Sequence, residues 1–359
     1  MSEKLIRVGF IGLNPDSHWA SMAHIPALNS LKDKFVVNGV ANSTYASAKK
    51  TAEAMNIPHA FETPKALAES NEIDLVVVTV KVPYHLELVK TALEAGKHVY
   101  CEWPLGNGLK EAEELTALAD KKGVVAAVGT QMRTALEVKH LKKLIAEGYI
   151  GKILSTTLIG HGGNWGDETI ADYYYLFDKA NGATMLTIPL GHTLAGMMDV
   201  LGDFEYISAY MVNLRNTVKV ADTNEAKPKT AEDQIMVHGT LQSGAAFSIH
   251  YKGGLSKGTN LLWEINGTDG DIQVTGDMGH GQMVQLTVNG VRGSETEMHP
   301  IMPSKEEYAN KPEMAAARNV AGIYALIAED INTGSRKAPS FKDAVKLHKI
   351  LDKIEKSSK

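Results

Sequence analysis

Two periodicities alternate across the first 130 or so residues, and this alternation constrains the chain more than any other feature. Short β-branched runs fall at 6–13, 35–42, 74–80, 97–103 and 124–129, with helix-patterned stretches at 46–56, 64–70, 84–96 and 109–123 between them. Strands that stay apolar residue after residue are buried on both faces, which calls for a parallel sheet with helices on either side. Gly96 and Gly123 stand where two of the helices should stop. Residues 1–133 therefore read as a doubly wound Rossmann domain that binds a dinucleotide.

After a helix at 134–147 the pattern changes. Long strands are expected at 153–163, 204–216, 234–242, 245–254, 260–276 and 283–291, with Asp269-Gly270 supplying hairpin chemistry. A helix at about 182–200 interrupts them, and helices at about 306–333 and 341–355 close the chain. This predicts an α+β domain over 134–359 on an open, mostly antiparallel sheet, its last helix free to pack back on the first domain. Residues 217–233 read as a polar, mobile loop.

Composition narrows the function. A chain of 359 residues that is 44% apolar has the material for two globular cores. A net charge of −5 argues against a nucleic-acid binder that works by neutralising phosphates. No run reaches the roughly 18 apolar residues of a membrane span, and the opening IRVGFIGL reads as a strand and not as a leader. A cytoplasmic protein is expected. The single cysteine, Cys101, excludes an intrachain disulfide and a cysteine-based zinc site, and it reads as an inert core thiol. The 13 histidines show no metal-binding spacing, so no metal is expected.

Gly9-Phe10-Ile11-Gly12 ends the first strand, where a tight glycine turn can bring a pyrophosphate to a helix N-terminus. The same four residues would also serve as a plain structural turn. Leu13, Asn14 and Trp19 continue the loop in place of further glycines. The second strand ends at Asn42-Ser43-Thr44, followed by Lys49 and Lys50, where an acid would normally hold the adenosine ribose. An uncharged end tolerates a 2′-phosphate, although Ser43 and Thr44 would equally serve as helix caps. The cofactor is read as NAD or NADP, leaning slightly to NADP.

The segments HIPAL (24–28), EAGKHVYCEWPL (94–105) and GYIGKI (148–153), with Gly191-His192, resemble the Gfo/Idh/MocA oxidoreductase family over nearly the whole chain. That resemblance implies an N-terminal Rossmann domain, a C-terminal α/β domain, and NAD(P)-dependent chemistry on sugars or cyclitols. It implies cofactor contacts from Thr79, Val80, His85, Glu102, Trp103 and Gln131 besides the loop residues above, and a substrate cleft lined by Trp103, Arg133, Trp165 and His192.

The chain departs from the family pattern at its chemical centre. The usual Glu-Lys-Pro is Glu102-Trp103-Pro104, and an indole only donates, so it cannot exchange the substrate proton. The aspartate four residues before the family histidine is Ile188, while His192 is kept. Thr-Pro-Asn is replaced by Val80-Lys81-Val82. These departures resemble the branch of the fungal galactose-pathway co-repressor, a cofactor-binding sensor, which implies a shared site shape. Proton handling then falls to His192, assisted by Tyr174 or Lys81. Trp103 would cover the nicotinamide or offer a flat face to a sugar, and His161 reads as a packed strand histidine. Two functions remain open: an oxidoreductase acting on a sugar, with redox-neutral glycoside hydrolysis as a variant, or a silent NAD(P)-binding sensor of a sugar or a protein partner. The expected partners are a sugar and further copies of the chain as a homodimer or higher oligomer, with neither nucleic acid nor membrane.

Overall fold

The computed structural model describes residues 5–16 and 19–358, and it divides into two compact units. One comprises residues up to Gln131 together with Asn310–His348; the other comprises Met132–Ala309 and the residues from Lys349 onward. Among the described residues no helix is long and apolar enough to cross a membrane.

The first unit holds six strands, β1 (Ile6–Ile11), β2 (Phe35–Ala41), β3 (His59–Ala60), β4 (Leu75–Val78), β5 (His98–Glu102) and β6 (Ala126–Gly129). All are parallel, in the order β3-β2-β1-β4-β5-β6. That is the strand order of a dinucleotide-binding sheet, with its switch point between β1 and β4. The connecting helices are α1 (Ile25–Asn29), α2 (Tyr45–Met55), α3 (Pro64–Glu69), α4 (His85–Glu94) and α5 (Leu109–Lys122). Local chemistry sets their ends. Thr44 and Thr63 cap α2 and α3 by accepting from the N–H groups of Ser47 and Ala66. Gly123, at φ 67°, stops α5 in the left-handed conformation that glycine takes without strain. A π-helical turn at Ala20–His24, not expected from the sequence, leads into α1.

The second unit begins with α6 (Leu136–Ala146) and is built on β7 (Ile153–Gly162). It continues through β8 (Glu168–Thr169), α7 (Gly191–Leu201), β9 (Phe204–Val212), β10 (Thr217–Val220), β11 (Glu225–Pro228) and β12 (Gln234–Leu241). Strands β13 (Ala246–Gly253), β14 (Leu261–Gly267), β15 (Gly270–Gly276), β16 (Thr287–Arg292) and β17 (His299–Pro300) follow, then the short α8 (Lys305–Tyr308). Eight of the strands form one sheet, β17-β16-β15-β14-β7-β13-β12-β9, antiparallel except where β13 runs beside β7. Its buried face carries Leu158, Trp263, Ile265 and Tyr251, and the Trp263 indole donates to Thr156 Oγ1 at 2.8 Å.

The chain then returns to the first unit. Helix α9 (Ala315–Thr333) places Val320, Ile323, Tyr324 and Ile327 in one core with Val8, Phe10, Val77 and Tyr100. Pro339 accepts from Val128 at 2.8 Å along β6, and α10 (Phe341–Ser357) follows.

Three expectations are corrected. The polar stretch 217–233 is not a loop: β10 and β11 pair as a hairpin whose Val218 and Val220 are buried, turned by Asn224 at φ 54°. Lys219 between the two valines, in a run of polar residues, hides this alternation in the sequence. The hairpin's base is held by a fully buried ion pair, in which Asp233 accepts from Lys229 Nζ at 2.8 Å and from the N–H groups of Leu214 and Arg215. The helix expected at 306–333 is two helices, α8 and α9, parted by Asn310 at φ 58° and by Pro312, whose ring cannot continue a helix. The helix expected at 182–200 starts with a π-helical turn at Leu186–Leu190, where Pro189 lacks an N–H and Leu190 reaches back five residues to the Met185 carbonyl at 3.2 Å.

Candidate functional site

Gly12 leaves β1 at φ 97°, and a Cβ added there would lie 2.5 Å from Val80 Cγ1 and 3.2 Å from the Thr79 carbonyl oxygen. Only glycine gives both the turn and the close approach of the two strand ends. Thr79 Oγ1 donates to the Gly12 carbonyl at 3.0 Å, and the Gly12 N–H donates to Ala41 at 3.0 Å. Gly9 serves packing, since a Cβ there would meet Ile73 and Leu67 at 2.9 Å. Ile11 and Leu13 are buried, whereas Asn14 is exposed and its Oδ1 accepts from Asp16 N at 2.8 Å. Ser17 and His18 of this loop lie outside the described residues. Asn42 turns its amide inward, donating to the Leu13 carbonyl at 2.8 Å and lying 3.2 Å from both Ser47 Oγ and Thr51 Oγ1. Ser43 is exposed. A glycine turn between two parallel strand ends, with an uncharged residue at the end of β2, fits a dinucleotide.

At the end of β5, Glu102 gathers three side chains from two elements. Trp19 Nε1 donates at 2.8 Å, Gln131 Nε2 sits 2.8 Å from both carboxylate oxygens, and His24 Nε2 lies at 3.1 Å. The other ring nitrogen of His24 faces the Tyr324 hydroxyl at 2.9 Å. The His24 ring is thus bracketed between the Glu102 carboxylate and the Tyr324 hydroxyl. Burial and the nearby carboxylate raise the phenols of Tyr100 and Tyr324 well above the ordinary range, which keeps both protonated. A Cβ at Gly129 would lie 2.5 Å from Glu102 Oε1, so β6 needs glycine where it passes the carboxylate. The sequence reading used His24 only as part of the HIPAL segment and did not name Tyr324, because nothing in either local pattern links residues 300 positions apart.

Trp103, joined to Pro104 by a cis bond, is 4% exposed, its ring 4.7 Å from that of His348. Burial pushes His348 down to about 4. His85, at the start of α4, faces the Pro104 carbonyl at 2.8 Å and the Val80 carbonyl at 2.9 Å, and burial lowers its pKa. It therefore ties the Trp103-Pro104 turn to the loop after β4. Lys81 is exposed on that loop. Burial raises the Cys101 thiol well above its usual value, which keeps it unreactive.

The second unit brings another group together. His192, in the first turn of α7, is buried. Beside it Thr193 Oγ1 lies 2.6 Å from the Tyr251 hydroxyl, which donates to the Gly279 carbonyl at 2.8 Å, so Thr193 is the donor to Tyr251. Gly160 leaves room for the Tyr251 ring, and Gly279 packs on the backbone of His161. His161 is buried at the end of β7, and burial lowers its pKa. Trp165 is buried, its indole donating to Leu176 O at 3.1 Å and its ring stacked on His280 at 5.8 Å. Burial pushes His280 down to about 4. Tyr173, Tyr174 and Tyr175 lie on a 3-10 turn, Ala171–Phe177. The Tyr174 hydroxyl donates to Pro228 O at 2.8 Å, and burial pushes Tyr175 up to about 12. Arg133 makes a two-pronged bond to Asp199 of α7, 3.1 Å in each arm. The sequence reading named His192 and Trp165 and took His161 as a packed strand histidine, which is where the structure buries it; it did not single out Tyr251 or His280, the latter flagged only by its flanking glycines in Gly279-His280-Gly281. Among the described residues no group of three or more His, Cys, Asp or Glu is placed to hold a metal.

Residues 6–130 match the oxidoreductase family with NAD-binding Rossmann fold, and residues 137–276 match the Gal80p C-terminal domain. The chain is 34% identical to the dehydrogenase aclE of Aspergillus oryzae, over 76% of this chain and 77% of that protein. It belongs to the Gfo/Idh/MocA oxidoreductase family. It is also 32% identical to the galactose/lactose metabolism regulatory protein GAL80 of Kluyveromyces lactis, over 80% of this chain and 67% of that one. A solved super-repressor mutant of Gal80p from Saccharomyces cerevisiae superposes with a TM-score of 0.90 at 27% identity, covering 99% of this chain and 96% of that one. Levoglucosan dehydrogenase, at 21% identity and a TM-score of 0.85 over 99% and 97% of the two chains, shares the fold. Dehydrogenases and regulators of this family are thus built on one scaffold.

Proposed function

We propose that the protein is an NAD(P)-dependent oxidoreductase acting on a sugar or sugar derivative. The observation that carries this reading is the intact cofactor end of the first unit: Gly12 in a turn open only to glycine, with the donor-saturated Glu102 at the end of β5. When bound, NAD(P) supplies a hydride acceptor or donor. The chain's own task is to bind it and to move the substrate's hydroxyl proton. Trp103 cannot do the latter. Tyr174 already gives its proton to Pro228, and Lys81 lies on an exposed loop. His192 is the residue we assign to the proton, with Trp165 and Arg133 of the same unit shaping the substrate's surroundings. A redox-neutral variant, in which a glycoside is oxidised, cleaved by elimination, rehydrated and reduced again, needs no lysine at position 103. We also assign NADP ahead of NAD, a cytoplasmic setting, and a homodimer or higher oligomer.

A second reading has its own observation. The position of the family lysine is an indole buried against His348, and the whole-length likeness to Gal80p is to a transcriptional regulator. This favours a dinucleotide-loaded sensor that recognises a sugar or a protein without turnover.

The test is to purify the chain without added nucleotide, denature it, and identify any released dinucleotide by mass spectrometry. In parallel, native protein is offered a panel of sugars and aryl glycosides while dinucleotide absorbance and glycoside cleavage are followed together. Net absorbance change that His192→Ala abolishes supports the dehydrogenase. Cleavage without net change supports the redox-neutral variant. Bound dinucleotide with neither signal transfers the assignment to the sensor.

A further inference from the structure

Five Asn-Gly pairs occur in the chain, at residues 38–39, 107–108, 181–182, 266–267 and 289–290. In such a pair the glycine amide nitrogen can attack the carbonyl carbon of the asparagine side chain, because no Cβ stands in its way. The attack needs a free nitrogen and a backbone able to turn, and the fold denies one or the other to four of the pairs. Asn38-Gly39, Asn266-Gly267 and Asn289-Gly290 lie within β2, β14 and β16, where the ladders fix the backbone. The Gly182 N–H donates to the Lys179 carbonyl at 3.1 Å, and the Asn181 amide donates to Tyr175 O at 2.8 Å.

Asn107 and Gly108 are different. Both are exposed, on the link between Trp103-Pro104 and α5, outside helix and strand. Gly106 at φ 70° and Gly108 at φ 99° flank the asparagine, so the backbone can swing on either side of it. The Gly108 N–H donates to no acceptor among the described residues. The bond that holds this loop is made one residue earlier, where Asn107 N donates to Glu111 Oε2 at 2.6 Å. The Glu111 side chain thus reaches back from the first turn of α5, as one half of a capping box does. A Cβ at Gly106 would lie 2.7 Å from Glu111 Cβ, which shows how closely the carboxylate covers the loop.

We infer that Asn107 is a site of spontaneous deamidation in the folded chain, and that the reaction loosens the start of α5. Gly108 N bonds to Asn107 Cγ and loses its proton, the Cγ–Nδ2 bond breaks, and ammonia leaves. Water then opens the five-membered imide, at Cγ to give aspartate or at the main-chain carbonyl to give isoaspartate. Either product sets a new carboxylate beside Glu111, whose oxygen now holds the loop. Isoaspartate also adds a methylene to the main chain and shifts Gly108 against the helix it begins. The change falls on the first turn of α5 and on the link that runs back to Trp103-Pro104.

Ageing the folded chain in warm, mildly alkaline buffer and mapping its peptides by mass spectrometry tests this, with the same chain in urea as the reference. A pair held by the fold reacts only when it opens, and each tenfold of slowing corresponds to about 1.4 kcal/mol of opening energy. The peptide with Asn107 should therefore convert at least about tenfold faster than the other four in the folded chain, while in urea all five converge. Equal rates in the folded chain, or a lead by another pair, overturn the inference. A lead of Asn107 that is as large in urea also overturns it, because the fold would not be its cause. Asn107→Gln should abolish the conversion of that peptide, and conversion that persists there overturns the assignment to Asn107. Hydrogen exchange reads the consequence: the first turn of α5 should exchange about threefold faster in the aged chain than in the fresh one, and unchanged with age in Asn107→Gln. Identical exchange in aged and fresh chains overturns the loosening of α5.

Discussion

Substituting Gly12 by alanine tests the cofactor turn where the structure is most exacting. The residue sits at φ 97°, outside the region that L-residues ordinarily occupy, and forcing one to positive φ costs about 1–2 kcal/mol. The new methyl would also lie 2.5 Å from Val80 Cγ1, so that the ends of β1 and β4 must move apart, an overpacking cost of about 1–3 kcal/mol. Together these give about 2–5 kcal/mol of local destabilisation. Hydrogen exchange read by mass spectrometry on the β1 and β2 peptides should show protection falling by about 30-fold or more, at about 1.4 kcal/mol per tenfold. Dinucleotide affinity should fall with it. Val80→Ala in the same chain removes the Cγ1 obstacle but not the backbone strain. The double variant should therefore recover part of the protection, with a coupling of about 1 kcal/mol. Unchanged protection in Gly12→Ala would refute the assignment of strain to this turn. A double variant no better than the single one would refute the role of Val80.

Two further outcomes follow from buried charge. Lys229→Met should destabilise the second unit by about 3–5 kcal/mol, because Asp233 would keep a buried carboxylate without its cation, while Lys229→Met with Asp233→Asn should recover much of the loss; urea unfolding reads both, and equal stability of all three chains would count against a buried pair. His280 and His348 are both held down at about 4 by burial, against an ordinary value of 6.5. Between those pH values the unfolded chain binds a proton that the folded chain does not, so stability is full above pH 6.5 and falls as pH drops toward 4. Each histidine accounts for up to about 3 kcal/mol. His280→Gln should flatten the fall of the urea midpoint across this window, and an unaltered slope would show that His280 does not titrate as its burial implies.

The first unit was legible in the sequence because burial on both faces leaves strands such as Leu75–Val78 apolar throughout, and because Gly123 marks a helix end by chemistry. Gly12 was legible as a turn at a strand end, whereas Glu102 and Gln131 entered only through the likeness of local strings to the family. What surrounds Glu102 was not. Its partner His24 is oriented by Tyr324, and a bond across 300 residues leaves no periodic trace. The hairpin of β10 and β11 was missed for another reason. Its apolar face is only two residues deep, Val218 and Val220, and its anchor is an ion pair that reads as surface charge. Trp103 and Trp165 show a third limit. A sequence cannot distinguish a ring offered to a ligand from one packed against His348 or His280.

The return of α9 to the first unit has a consequence for how the protein is made. A ribosome releases β1 to β6 well before it has read Ala315–Thr333, yet Val320, Ile323, Tyr324 and Ile327 belong to the same core as Phe10 and Tyr100. During synthesis the parallel sheet therefore emerges with part of its apolar surface bare, and it stays so while some 180 residues of the other unit are threaded out. Contacts that span nearly the whole chain close last, so the nucleotide site matures only after its neighbour has been completed. A ligand that binds the finished first unit would act as a late clamp on newly made chains, stabilising those that have received their final helix.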